Sequence, residues 1–267
     1  MSETADRALI LGASSGFGAA AARAFAAEGL CVHGVHLDRR SGAGRVAALD
    51  ADLKALAPEA HLYNTNAADD ERRSKVLDHL EARVASTGGR VRVLLHSLAF
   101  GSLVPLLPES GPDPLKPATR RQLAMTMDVM AHSLVHWVRE LVERDLFAAD
   151  ARVFALTSSG SRSVLRRYGP VGAAKAALEA HVRQLAVELA PLGVTVNAVM
   201  AGVTDTPALR KIPDHETVLS RALARHPHGR LTRPEDAAAA LVALSAPGTH
   251  WMTGNVLRVD GGEDISG

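Results

Sequence analysis

The sequence predicts an α/β fold, a doubly wound parallel sheet flanked by helices on both faces, in one domain over residues 1–267. Two observations carry this expectation. Short apolar runs of strand length alternate with longer runs of helical period from one end to the other, which is the pattern of βαβ units. No linker, repeat or low-complexity segment interrupts the alternation. Right-handed crossovers then place the strands parallel in one sheet with helices on either side.

The elements follow in order. RALILGA (7–13) is a first strand and FGAAAARAFAAEG (17–29) a first helix. LCVHGVHL (30–37) is a second strand, followed by a helix reaching about Pro58. HLYNTN (61–66) and DDERRSKVLDHLEARVAS (69–86) are the next strand and helix. VRVLLHSLAF (91–100), ARVFALTSS (151–159), VTVNAVMAG (194–202) and NVLRVDGG (255–262) complete the strands, with long helices around 119–144 and 170–192. The stretch after the fourth strand, GSLVPLLPESGPDPLKPATR, holds too many prolines to be helical throughout. It is expected to form a loop at the rim of a ligand crevice.

Composition excludes several classes. Thirty basic against 29 acidic residues leave a net charge of +1, which favours neither nucleic acid nor a membrane surface. The N-terminal stretch MSETADRALILGASSG lacks the basic start and long apolar run of a secretory signal, and no apolar segment reaches membrane-spanning length. A cytoplasmic location is expected. Cys31 is the single cysteine, so an intrachain disulfide is excluded and the residue reads as a packed strand position. Twelve scattered histidines lack paired ligand spacing, and no metal site is expected.

The first βα turn carries Gly12-Ala-Ser-Ser-Gly16-Phe-Gly18. A dinucleotide fold needs tight turning and close approach of backbone to pyrophosphate at this point. Gly12 ends the strand, Ser14 and Ser15 offer hydroxyl and amide donors, and Gly18 lets the helix pack closely on the sheet. Together with Gly16 and Phe17 they predict a nicotinamide dinucleotide site. The end of the second strand should then discriminate the adenosine ribose, where an acid binds a 2′-hydroxyl and a base accepts a 2′-phosphate. The text there, V35-H-L-D-R-R-S41, contains both signals. Asp38 fits NADH, whereas Arg39, Arg40 and Ser41 could surround a phosphate, and His36 stands nearest the usual position of the acid. The two arginines favour NADPH over NADH, with a solvated helix start as the alternative reading for them. Asn66, with Ala67 after it, is placed by strand order to meet the adenine.

Taken together, these residues resemble the short-chain dehydrogenase/reductase family over nearly the whole chain. The matching motifs are Gly12, Gly16 and Gly18 as G-x3-G-x-G, the segment N197-A-V-M-A-G-V-T-D-T206, and the closing V259-D-G-G262. Within that family the chain is most similar to bacterial enoyl-acyl-carrier-protein reductases. H96-S-L-A-F-G101 replaces the usual Asn-Asn-Ala-Gly, Asp128 stands where classical members have a catalytic Asn, and Tyr168 and Lys175 are separated by six residues. Many enoyl reductases carry an additional tyrosine where Ser158 stands, and the branch that keeps the glycine motif resembles this sequence in having serine there. The resemblance implies a Rossmann-like fold, NADPH or NADH as cofactor, and an acyl thioester substrate, either on acyl carrier protein or on coenzyme A. It also implies a homotetramer built partly through the two long helices. Ser97, Leu98 and Ala99 are expected under the cofactor, Val203, Thr204 and Thr206 on its nicotinamide side, and Phe100 against substrate. His96 reads as structural.

Proline suits the first turn of a helix, so Pro170 places the helix start just after Tyr168. Lys175 then lies about two turns in, ~10.5 Å along the axis, on the same face. Such a spacing sets the phenol back from the lysine. In reduction of a 2-enoyl thioester, hydride reaches the β-carbon while charge develops on the thioester oxygen, and a set-back Tyr168 would meet that oxygen. Lys175 would hold the nicotinamide ribose and favour the anion. Ser158 lies seventeen residues before Lys175, the offset of the serine in classical ketone reductases, so it could orient a substrate oxygen or simply satisfy backbone at a strand end. Ketone reduction or alcohol oxidation is therefore the alternative activity. Residues 206–230 correspond to a substrate lid, and Arg210, Lys211, Arg221 and Arg225 read as a solvated face before they read as a docking patch for an acidic carrier.

Overall fold

The computed structural model describes residues 5–110 and 114–266. All seven expected strands are present: β1 (Arg7–Leu11), β2 (Cys31–His36), β3 (Ala60–Asn64), β4 (Val91–His96), β5 (Phe147–Thr157), β6 (Thr195–Ala201) and β7 (Val256–Val259). They form one sheet in the order β3-β2-β1-β4-β5-β6-β7, and every neighbouring pair is parallel. The chain reverses its direction of growth between β1 and β4. In such sheets ligands bind beyond the carboxyl ends of the strands at this switch point.

Alternation along β1 shows why the sheet is buried on both faces. Leu9 and Leu11 join a core with α3 (Asp70–Thr87), α5 (Ser133–Glu143) and α6 (Gly169–Glu188), represented by Leu77, Trp137 and Leu178. Ala8 and Ile10 face the opposite core, under α1 (Gly16–Ala27), α2 (Ala43–Leu56) and α8 (Pro234–Ala243), represented by Phe25, Leu53 and Leu241. Small α1 residues Ala19 to Ala22 let that helix sit close to the strands.

Three boundaries differ from the sequence reading. β5 starts at Phe147, and its register with β4 shifts between Val91 and Val93, so the extra residues form an irregular lead-in. The helix expected over 119–144 is two segments, α4 (Arg120–Met127) and α5, joined by a π-helical turn at Asp128–His132. Pro191 ends the next long helix early: α6 stops at Glu188 and a 3₁₀ turn follows at Ala190–Leu192. Among the described residues of 101–118 there is neither helix nor strand. The segment after β6 contains a 3₁₀ turn at Leu209–Lys211 and α7 (His215–Arg225). Among the described residues no helix is long and apolar enough to cross a membrane.

Candidate active site

Two adjoining cavities lie beyond the carboxyl ends of the strands. The first, about 290 Å³, runs over the β1–α1 turn and is lined by Gly12, Ser14, Ser15, Gly16 and Phe17. Gly12 has φ +91°, and a Cβ there would collide with the Ser97 carbonyl. A Cβ at Gly18 would collide with the Gly12 carbonyl, so Gly18 serves packing beneath the groove, not its lining. Ser15 precedes α1 in an extended conformation without capping it, and the first turn carries no acidic side chain. The leading amides of α1 are thus free to receive an anion, as a helix start with its positive dipole end favours. These features fit a dinucleotide pyrophosphate.

The far end of this groove is formed by His36, Leu37, Asp38 and Arg45, with Thr65, Asn66 and Ala67 beside them. His36 Nδ1 lies 3.0 Å from Asp38 Oδ2, and the Arg45 guanidinium donates to Asp38 Oδ1 at 2.8 Å and to the Ser14 carbonyl at 3.1 Å. Burial pushes the Asp38 carboxyl up, but hydrogen bonds from Ser14, Arg45 and His36 outweigh it and hold the group below its usual range. Arg39 and Arg40 are exposed and do not line the groove. The reason is the turn at Arg40–Gly42: Gly42 lies so close to Asp38 that a Cβ would strike its carboxylate. The acid is folded inward and the two arginines outward. Arg45 supplies the cation at this end, which no local sequence signal marks, because only the α2 approach to Ser14 brings it there.

The second cavity, about 280 Å³, is bordered by Ser158, Tyr168 and Lys175. Its walls are mainly apolar, with Leu103, Met130, Leu165, Val171, Leu209 and Ile212, while Lys211, Asp260, Glu263 and Asp264 also border it. Ser97, Leu98, Ala99 and Phe100 border both cavities, as does Thr206, whereas Val203 and Thr204 border this one and not the first. Phe100 is exposed. Tyr168 is the N-cap residue of α6, as the position of Pro170 requires. Its ring lies over Gly160, where a Cβ would collide with Cε1, and burial pushes the phenol pKa up while Ser158 draws it down.

Lys175 is 6% exposed and donates to the carbonyls of Leu156 at 2.6 Å and Leu98 at 3.4 Å. Burial lowers its pKa to about 8, with Glu179 opposing the shift. Glu179 is itself buried and accepts from Thr157 Oγ1 at 2.6 Å. His96, buried under the site, pairs through Nε2 with Ser133 Oγ at 2.8 Å and borders neither cavity. Burial and the Lys175 charge push its pKa down to about 3, so it is neutral. Asp128 is exposed and also borders neither cavity; the π-helical turn presents Val129 to the groove and Met130 to the second cavity instead. Of Arg210, Lys211, Arg221 and Arg225, Arg210 is bound to Asp205 and Arg225 to the buried Glu263, while Lys211 borders both cavities. Glu263 also accepts the Val203 amide at 2.7 Å, a site contact with no signal in the sequence.

Comparison with known proteins agrees with this architecture. The model of the family described as enoyl-(acyl carrier protein) reductase matches residues 12–263. The enoyl-(acyl-carrier-protein) reductase (NADPH) FabI of Staphylococcus aureus is 27% identical over 205 residues, covering 77% of this chain and 76% of that protein. The cis-4-hydroxycyclohexanecarboxylate dehydrogenase of Sinomonas cyclohexanicum is 31% identical, covering 96% and 95%. The crystal structure of enoyl-(acyl-carrier-protein) reductase (NADH) from Aquifex aeolicus superposes with a TM-score of 0.80 at 24% identity, over 98% of this chain and 97% of that one, and speaks for the fold. With its glycine cradle, its tyrosine set two turns ahead of a buried lysine, and a family match over nearly its full length, the chain belongs to the enoyl-(acyl carrier protein) reductase family of short-chain dehydrogenases/reductases.

Proposed function

We propose that the protein reduces the carbon–carbon double bond of a 2-enoyl thioester, with NADH or NADPH bound in the groove. The observation that carries this reading is the placement of Tyr168. Its phenol sits outside the first turn of α6, in an apolar cavity, two turns ahead of Lys175. The bound dinucleotide supplies the hydride. Tyr168 donates a hydrogen bond to the thioester oxygen, where negative charge gathers as the β-carbon is reduced. Lys175, positively charged below about pH 8, holds the ribose and favours the same anion. The apolar walls exclude water and so strengthen both interactions. A proton reaches the α-carbon from Tyr168 or from water.

The remaining site residues take supporting roles in this reading. Ser14, Ser15, Gly16 and Phe17 hold the pyrophosphate, Asn66 and Ala67 the adenine, and Ser97 to Ala99 the underside of the cofactor. Val203, Thr204 and Thr206 meet the nicotinamide. Residues 206–230 act as a lid whose Leu209 and Ile212 cover the acyl group. The carrier is acyl carrier protein or coenzyme A, the protein works in the cytoplasm, and the exposed Leu123 of α4 and Val187 of α6 fit burial in a homotetramer.

A second reading, oxidation of a secondary alcohol or reduction of a ketone, is favoured by the contact between Ser158 and Tyr168 and by the relative from Sinomonas cyclohexanicum. Following NADH and NADPH consumption with crotonyl thioester, acetoacetyl thioester and cyclohexanone decides between them. Turnover of crotonyl thioester alone supports enoyl reduction. Preference for either carbonyl substrate overturns it.

A further inference from the structure

The proline-rich segment between β4 and α4 contributes Leu103 to the second cavity, yet it has no helix or strand among its described residues to hold it. Ser102 N donates to Thr126 Oγ1 at 2.9 Å near its start, and Glu109 ties its middle. The carboxylate of Glu109 receives Arg167 through two guanidinium nitrogens, Nε at 3.1 and 3.0 Å and Nη2 at 2.6 Å. The same carboxylate accepts the Leu115 amide at 3.2 Å, which fastens the returning arm of the segment, and Arg166 stands 3.6 Å away. Both partners are largely shielded, with side-chain exposures of 16% for Glu109 and 11% for Arg167. Forked contacts of this type fix orientation as well as distance.

Arg167 is the residue immediately before Tyr168, and it has φ +59°, a left-handed conformation that costs a non-glycine residue energy. Its backbone sets the direction in which Tyr168 enters α6. A second contact joins the same two segments: a Cβ at Gly169 would strike Leu106, so that leucine rests directly on the helix start. The geometry points to a positioning role for the Glu109–Arg167 pair: it couples the segment that carries Leu103 to the turn that bears Tyr168, and so sets where the phenol stands. This rests on the enoyl-reductase reading only for its effect on turnover; its effect on the phenol does not depend on that reading. The pair stays ionised across the working pH range, because the hydrogen bond from Arg167 holds the Glu109 carboxyl at about 2.

The chain has two tyrosines, Tyr63 and Tyr168, so fluorotyrosine labelling gives two fluorine NMR signals that Tyr168→Phe assigns. Glu109→Gln, Arg167→Ala and Arg167→Lys are compared in the full chain for that spectrum, its pH titration, kcat and KM with crotonyl thioester, and cofactor Kd. Glu109→Gln and Arg167→Ala should shift the Tyr168 signal and bring its phenol pKa back toward that of free fluorotyrosine, leaving Tyr63 unmoved. They should lower kcat about tenfold or more, as misplacement of a reacting group does, with cofactor Kd unchanged and Arg167→Lys intermediate. An unmoved Tyr168 signal in Glu109→Gln, which preserves side-chain shape, overturns the proposal, as does a shift of both tyrosines together. Should the wild-type protein fail to reduce crotonyl thioester, the activity reading fails while the fluorine result still decides the role of the pair.

Discussion

The phenol oxygen of Tyr168 lies 3.3 Å from Oγ of Ser158, across the mouth of the apolar cavity. The two hydroxyls converge because Ser158 directly follows β5 and Tyr168 directly precedes α6, with the turn through Gly160 folded between them. Either hydroxyl can donate a hydrogen bond to an oxygen placed beside the pair.

Tyr168→Phe removes the stronger candidate donor and should lower kcat for the enoyl thioester by roughly a hundredfold to a thousandfold, the usual cost of losing one oxyanion donor. Ser158→Ala should cost far less with that substrate. Steady-state rates of both variants check this; a Ser158→Ala loss as large as that of Tyr168→Phe would favour carbonyl chemistry.

Gly160→Ala places a methyl group against the Tyr168 ring, at Cε1 and Cδ1. The ring must move, so kcat should fall by about tenfold to a hundredfold with unchanged affinity for the cofactor. Titration with the dinucleotide separates this from general damage to the fold.

Asp38 and Arg45 stand together at the ribose end of the groove and carry opposite charges. Asp38→Ala removes the group that repels a 2′-phosphate, and should shift the kcat/KM ratio toward NADPH by about tenfold or more. Arg45→Ala should shift it toward NADH. Arg39→Ala and Arg40→Ala, outside the groove, should leave the ratio where it was.

Lys175 links stability and activity to pH. Its folded pKa of about 8 lies below the ordinary 10.5, so between those values the unfolded chain binds more protons and stability rises with pH. The gain across this window approaches about 3 kcal/mol, and denaturant melts of the cofactor-free protein should show it in the wild type and not in Lys175→Met. Activity runs the other way. Above about pH 8 the lysine loses its charge, and kcat/KM should decline.

The strands, the parallel sheet and the glycine cradle were legible in the amino-acid pattern alone, because each rests on local periodicity or on a backbone conformation that only certain residues adopt. Pro170 fixed the start of α6, and with it the set-back of Tyr168 from Lys175. Which charges line the groove depends on long-range packing. Arg39 and Arg40 are next to Asp38 in the chain but point away from it in space, whereas Arg45 and Glu263 reach the site from α2 and the carboxyl-terminal turn. The same holds for Glu109, which finds Arg167 across 58 residues. Periodicity records which face of an element is buried; it carries no information about which distant side chain a folded turn will bring alongside.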